Sequence, residues 1–89
     1  MKRRMKRSNA AMARTVDDEV VILDIPSGRY FGLNDVGALI WELLDGDHDR
    51  DDILDAITAA YDIDRTTAAG DLDTLIAELT GAGLVEGRP

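Results

Sequence analysis

A β-branched run followed by a turn sequence constrains the fold of this chain most. Residues 19–25 read Glu-Val-Val-Ile-Leu-Asp-Ile, which is typical of a β-strand. Pro26-Ser27-Gly28 follows with the chemistry of a three-residue hairpin loop, because proline presets φ at the first turn position and glycine accepts the left-handed third. Residues 29–33 supply the returning strand, so the sequence predicts a β-hairpin.

The predicted loop length sets which side chains of the hairpin share a face. One face would carry the facing pairs Ile25 and Arg29, Leu23 and Phe31, and Val21 and Leu33. The other face would carry Ile22, Asp24, Tyr30 and Gly32. The apolar character of the first set favours this register. A further strand is predicted within residues 9–17, since two strands alone are marginally stable.

Three stretches with helical spacing of apolar residues follow the hairpin. Asn34 can cap the first, Asp49 or Asp51 the second, and Asp64 the third. The apolar positions are Val36, Leu39, Ile40, Leu43 and Leu44, then Ile53, Leu54, Ile57 and Tyr61, and finally Ala68, Leu72, Leu75, Ile76 and Leu79. Strands followed by helices are typical of the α+β class.

The net charge of −8 hides a division along the chain. Residues 1–14 carry six cations and no acid, whereas residues 15–89 carry four arginines and all eighteen acidic residues. We predict a basic, flexible head over residues 1–14 and one folded domain over residues 15–89. The acidic domain disfavours nucleic acid as a partner, because Lys and Arg supply most nonspecific affinity for phosphates. For the head, a solvated tail is favoured over contact with anionic lipid or nucleic acid.

The composition also indicates in which cellular compartment the protein is expected. Cysteine is absent, which excludes disulfides, thiolate zinc sites and a cysteine nucleophile. No apolar run approaches the ~20 residues of a membrane span. The basic start lacks the apolar stretch of a signal peptide. The sequence therefore predicts a cytoplasmic protein without a membrane span.

The acidic stretch at residues 45–52 resembles a calcium-binding loop only in part. Its aspartates match the first, third and fifth positions of an EF-hand loop. Arg50 stands where that loop needs glycine, and Ala56 stands where it needs a bidentate glutamate. A solvated loop between helices, with acids that cap a helix, is the favoured interpretation, and no metal site is predicted.

Side chains suited to catalysis are sparse. His48 is the only histidine, and the serines Ser8 and Ser27 lie in the predicted head and in the hairpin turn. Catalysis needs rigid positioning, so no catalytic residue and no cofactor is predicted. Trp41 lies beside the stripe of the first helix, where packing at the rim of the core is favoured over a ligand platform.

The segment LDIPSGRYFGLNDVGALIWELLDG, Leu23–Gly46, resembles the family of pyrroloquinoline quinone biosynthesis protein D. It is most similar to the stand-alone leader-binding proteins of lasso peptide clusters, and the similarity covers about residues 15–86. The resemblance implies a RiPP recognition element, with a three-stranded antiparallel sheet followed by three helices, related to winged helix-turn-helix folds. It also implies a non-catalytic protein that binds the leader of a ribosomally made precursor and presents it to a separate leader peptidase and cyclase.

The resemblance further implies where the leader binds, namely as a fourth strand on the edge of the third strand and against the third helix. The implied peptide-binding residues are Arg29, Tyr30, Phe31, Gly32 and Leu33 on the strand and Asp71, Leu72, Leu75, Ile76, Glu78 and Leu79 on the helix. Independently, residues 30–33 carry none of the proline, lysine or inward charge that blunts natural sheet edges. This favours an edge that accepts an added strand.

Two other classes of function stay open at this point. A winged-helix DNA-binding regulator is disfavoured, because the third helix carries Asp71, Asp73 and Glu78 against only Arg65. A structural domain that dimerises through edge strands is the other. The first would bind duplex, and the second would show concentration-dependent sedimentation.

Overall fold

The computed structural model describes residues 4–8, 11–17 and 19–88. Its strands are β1 (Arg4–Arg7), β2 (Ala11–Val16), β3 (Glu19–Asp24), β4 (Arg29–Leu33), β5 (Asp45–Asp49) and β6 (Val85–Arg88). Its helices are α1 (Asp35–Leu43), α2 (Arg50–Ala60) and α3 (Arg65–Gly81). One antiparallel sheet has the order β2-β3-β4, and a second has the order β5-β1-β6. The α+β class and the sheet followed by three helices are confirmed.

The hairpin of β3 and β4 is one residue out of the predicted register. Asp24 pairs with Arg29, so the loop has four residues rather than three. The Gly28 N–H donates to the Asp24 carbonyl at 2.8 Å, and the Ser27 hydroxyl donates to the Asp24 carboxylate at 2.6 Å. Gly28 has a φ of 71°, the left-handed conformation expected of it. Asp24 therefore accepts the hydrogen bonds that close the loop, and Ile25, as a loop residue, is 54% exposed.

The shift moves the side chains of β3 to the other face of the sheet and leaves those of β4 on the faces that were predicted. Ile22 lies opposite Phe31 and is fully buried, and Val20 lies opposite Leu33. The placement of Ile22 on the outer face was wrong, because a slip of one residue moves every side chain of a strand to the other face. This face of the sheet packs on the helices.

The outer face holds two β3 side chains that were predicted to lie on the apolar face, Leu23 and Val21. Leu23 faces Tyr30 instead of Phe31, and the two side chains are 38% and 74% exposed. Val21 faces Gly32, so its predicted pairing with Leu33 was also wrong.

The three helices begin where the sequence predicts. The Asn34 side chain accepts from the Gly37 N–H at 2.9 Å and caps α1. Asp49 and Asp52 form a reciprocal capping box at α2, and the Asp64 side chain caps α3. The buried apolar residues are Ile22, Leu33, Ile40, Trp41, Leu44, Ile53, Leu54, Ile57, Ala68, Leu72, Leu79, Leu84 and Val85.

Part of the predicted flexible head forms the central strand of the second sheet. In this sheet β1 pairs with β5 and β6, with Arg4 opposite Asp49 and Lys6 opposite Asp45. The expectation of a solvated tail is therefore wrong for Arg4–Arg7, and residues 11–14 belong to β2. Residues 1–3 and 9–10 lie outside the described part of the chain.

The acidic stretch opposite that strand is also more ordered than predicted. Its first five residues form β5, and α2 begins directly after them at Arg50. The solvated loop is thus wrong for Asp45–Asp49, although its last member caps a helix as expected.

Hydrogen bonds from Arg7 connect the second sheet to the C-terminal end of α1. Its Nη1 donates to the Trp41 carbonyl at 2.8 Å and to the Glu42 carbonyl at 3.3 Å. Its guanidinium lies 5.7 Å from the centroid of the Trp41 ring. The last turn of α1 has no basic residue, so Arg7 supplies the positive charge that helix carbonyl ends favour. Trp41 itself is 5% exposed and belongs to the core.

Candidate functional site

A groove of about 730 Å³ lies between the edge of β4 and α3, with the start of α1 as its floor. The lining residues are Glu19, Gly32, Leu33, Asn34, Val36, Gly37, Ile40, Ile63, Asp71, Thr74, Leu75 and Glu78. The floor is apolar, and carboxylates stand at the rim. The groove therefore offers a hydrophobic surface directly beside a sheet edge.

Among the described residues, no strand lies beside the second edge of β4, because the sheet has the order β2-β3-β4. Since Val16 pairs with Glu19, three residues further along the chain, the two are expected to form a hydrogen-bonded pair. Alternation along β3 then turns the main-chain groups of Val20, Ile22 and Asp24 toward β4. By the same alternation, Tyr30 and Gly32 direct their N–H and C=O groups away from β3.

Two glycines shape this edge. A Cβ added to Gly37 would lie 3.2 Å from the Leu33 Cβ and 3.3 Å from the Asn34 Oδ1, so this glycine lets α1 approach β4 closely. A Cβ added to Gly32 would meet no atom within 4 Å, and Gly32 does not have positive φ. The edge at Gly32 is therefore open and has ordinary backbone geometry.

Several of the predicted binding residues meet in the groove. Gly32 and Leu33 line it from β4, and Asp71, Leu75 and Glu78 line it from α3. The three α3 positions are spaced four and three residues apart, so they lie on one face of the helix. This part of the predicted site is thus brought together by a strand and a helix that are far apart in sequence.

The other strand positions of the predicted site lie outside the groove lining. Tyr30 is on the outer face of the sheet, whereas Phe31 is half-buried on the inner face. The Arg29 guanidinium lies 5.5 Å from the centroid of the Phe31 ring. Arg29 therefore covers an aromatic side chain at the far end of the strand.

The other helix positions face the core. Leu72 and Leu79 are fully buried, and Ile76 is partly buried against the core cluster. A peptide in the groove cannot touch Leu72 or Leu79 without opening the core. These residues hold α3 in place while the adjacent face of the helix, with Asp71, Leu75 and Glu78, lines the groove.

The floor of the groove was not indicated by the sequence pattern. Val36 and Ile40 match the apolar stripe of α1 and read as ordinary core positions, and Ile63 lies in the short connection between α2 and α3. Gly37, one turn into a capped helix, was the available signal, because glycine there costs helix stability and points to a close approach.

One titratable pair lies on β5, away from the groove lining. The His48 Nδ1 is 2.9 Å from the Asp45 carboxylate. The hydrogen bond to Asp45 raises the pKa of His48 above its usual value, and the same bond lowers the pKa of Asp45. Within the described ranges, no group of three or more His, Asp or Glu side chains could hold a metal ion. Nor does any helix there have the length and apolarity to cross a membrane.

Comparison with known proteins identifies the family of this chain and solved structures that are similar to it. The family described as coenzyme PQQ synthesis protein D (PqqD) matches residues 19–85. TbiB1, solved in complex with the TbiA(beta) leader peptide, is 42% identical, with a TM-score of 0.81 over 91% of this chain and 94% of that chain. A lasso peptide synthetase B1, solved with the leader peptide, is 30% identical, with a TM-score of 0.81 over 92% of this chain and 96% of that chain. No curated protein matches the sequence. The chain belongs to the PqqD family and is a PqqD-like RiPP recognition element.

Proposed function

We propose that this protein binds the leader region of a ribosomally made precursor peptide in lasso peptide biosynthesis. The leader adds as a strand to the free edge of β4 and lies against α3. The observation that carries this proposal is the unpaired edge of β4 beside an apolar groove. Two solved relatives of the same fold, TbiB1 and a lasso peptide synthetase B1, hold leader peptides.

The edge and the groove supply the two elements of strand addition. Main-chain hydrogen bonds from Tyr30 and Gly32 give affinity that does not depend on leader sequence, each worth about 0.5–1.5 kcal/mol net. Apolar leader side chains that enter the groove between Leu33 and Leu75 give specificity. The two contributions together select an extended peptide with alternating apolar positions.

The groove supports binding rather than chemistry. Its lining contains no cysteine, histidine or lysine, so the Thr74 hydroxyl in the groove has no imidazole or amine beside it to act as a general base. We infer that the protein is not an enzyme and that a separate leader peptidase, and a cyclase, act on the precursor it presents.

Electrostatics disfavour the DNA-binding alternative. In a winged helix-turn-helix reading α3 would enter the major groove, but its exposed face carries Asp71 and Glu78. The Asp73 carboxylate on the same helix accepts hydrogen bonds from Arg50 Nε and Nη2, at 3.0 and 2.9 Å. Carboxylates on this helix would repel phosphates.

Fluorescence anisotropy with full-length protein tests the proposal. The probes are the labelled TbiA(beta) leader peptide, a scrambled peptide of the same composition, and a random duplex at physiological salt. We expect saturable binding of the leader and little of the scrambled peptide or duplex. Duplex binding that competes with the leader, or equal affinity for leader and scrambled peptide, would contradict it. Sedimentation over a range of concentrations reports whether edge strands pair between copies instead.

A further inference from the structure

We propose that the groove selects leaders that carry lysine or arginine in the segment beside α3. This inference rests on the proposed function and specifies the chemistry of the peptide that the groove accepts. It is carried by three carboxylates at the rim, Glu19, Asp71 and Glu78, and by the absence of lysine, arginine or histidine from the described lining.

The three carboxylates reach the groove from two sides. Glu19 stands at the first position of β3, at the end of the sheet where β4 leads into α1. Asp71 and Glu78 lie seven residues apart on α3, which is about 10 Å along the axis at 1.5 Å per residue. A peptide strand rises about 3.4 Å per residue, so a single leader segment passes both helix positions.

These carboxylates are not occupied by other parts of the described chain. Asp73 is paired with Arg50, Asp55 with Arg65, and Asp45 with His48. Asp49 and Asp64 cap helices. By contrast, the side-chain carboxylates of Glu19, Asp71 and Glu78 form no hydrogen bond or ion pair among the described residues. The charges of the groove are therefore available to a partner.

The shape of the site strengthens the preference for a cation. A cleft lined by charges of one sign with apolar walls concentrates its potential, which attracts counter-charges. Lysine and arginine also have long aliphatic stems that can cover an apolar floor such as Val36 and Ile40 while the charged group reaches the rim. A bare divalent ion is a poorer fit, because the described residues contain no group of three or more acidic or histidine side chains arranged to hold a metal.

The test combines a charge scan of the peptide with matched protein variants. Each position of the TbiA(beta) leader peptide is replaced in turn by lysine and by glutamate, and the Kd of every peptide is measured by anisotropy. The groove variant is Glu19→Gln, Asp71→Asn and Glu78→Gln in one chain. The control variant is Glu42→Gln, Asp47→Asn and Asp62→Asn, which changes net charge equally at exposed positions outside the groove lining.

With the parent protein, we expect lysine to bind about three- to tenfold more tightly than glutamate at one to three leader positions, since exposed ion pairs are individually weak. This preference is expected to disappear in the groove variant and to persist in the control variant. An equal loss in both variants would show that net charge alone acts, and no lysine preference at any position would overturn the proposal. If the parent protein bound no leader peptide at all, the proposed function itself would fail.

Discussion

The two three-stranded sheets of this protein differ in the residues that face each other across neighbouring strands. The β2-β3-β4 sheet buries Ile22 and Leu33 against the helices. In the β5-β1-β6 sheet a basic strand faces an acidic one, with Arg4 opposite Asp49 and Lys6 opposite Asp45. The second sheet also contributes Met5 and Val85 to the core, so the difference teaches that apolar burial anchors both sheets and that the charged strands differ mainly in what faces them. The sheet with the open edge has an apolar inner face, and among the described residues no strand pairs with its β4 edge, which lies beside an acidic rim.

Replacement of a buried isoleucine in the first sheet should give the largest effect. Ile22→Ala removes a fully buried side chain, and such changes lower the free energy of unfolding by about 2–5 kcal/mol. Ile25→Ala changes the same residue type in the exposed loop and should stay within about 0.5 kcal/mol. Urea unfolding followed by circular dichroism measures both. Equal losses, or a larger loss at Ile25, would mean that the register is the one first predicted from the sequence.

In the second sheet, the largest effect is expected at Arg7. Arg7→Ala removes two charged hydrogen bonds to α1 carbonyls and the contact with the Trp41 ring, and we expect a loss of about 1.5–3 kcal/mol of unfolding free energy. Arg7→Lys should restore only part of the lost unfolding free energy, because the lysine ammonium lacks the planar set of N–H donors of the guanidinium. Lys6→Ala is the matched control, since its exposed cation should contribute less than about 0.5 kcal/mol. If Arg7→Ala were as stable as Lys6→Ala, the contacts of Arg7 with α1 would not stabilise the fold.

Substitution at the open edge should weaken peptide binding without a comparable loss of stability. Gly32→Pro removes one outward donor, so the Kd for the TbiA(beta) leader peptide should rise about two- to tenfold. Proline is tolerated on an edge whose N–H faces solvent, and Gly32 has no positive φ to forbid it. Gly32→Ala keeps the donor and meets no atom within 4 Å, so it should bind nearly as the parent does. A folded proline variant with parental affinity would mean that the leader does not add to β4.

The smallest effect is expected from the pH dependence of the second sheet. Because Asp45 raises the pKa of His48, the stabilisation from this pair is fully present below pH 6.5 and is lost as the pH rises through the raised pKa. At the acidic end, the contribution of Asp45 is lost as the pH falls through its lowered pKa. NMR titration of His48, the only histidine, should give a midpoint above 6.5. In His48→Gln, the decline in unfolding free energy above neutral pH should disappear. A midpoint at or below 6.5 would contradict the pairing.

Local chemistry predicts much of this fold. The caps at Asn34, Asp49 and Asp64 depend on a few neighbouring residues, and the three helices begin where these residues stand. The register of the hairpin was wrong because Ile22 and Leu23 have equally apolar neighbours. Hydrogen bonds of Asp24 within the loop decide between a three- and a four-residue loop, and that choice is not visible as a hydrophobic pattern.

Long-range pairing was the part that sequence patterns did not predict. The partners of Arg4–Arg7 lie about 40 and 80 residues further along the chain, where no periodicity connects them. The floor of the groove was missed for a similar reason, since Val36 and Ile40 serve both the helix stripe and the cavity. Asp71, Leu75 and Glu78 came from the family resemblance; they line the groove, and their contact with a leader stays a prediction.

The position of β1 at the centre of the second sheet also has a consequence for the order of folding. The first sheet joins neighbouring segments, so its two hairpins close short loops. The second sheet must bring Arg4 against Asp49 and Arg88, which closes much longer loops at a higher entropic cost. We therefore expect β1 to be incorporated after the transition state for folding, so that substitutions within it accelerate unfolding and leave the folding rate nearly unchanged.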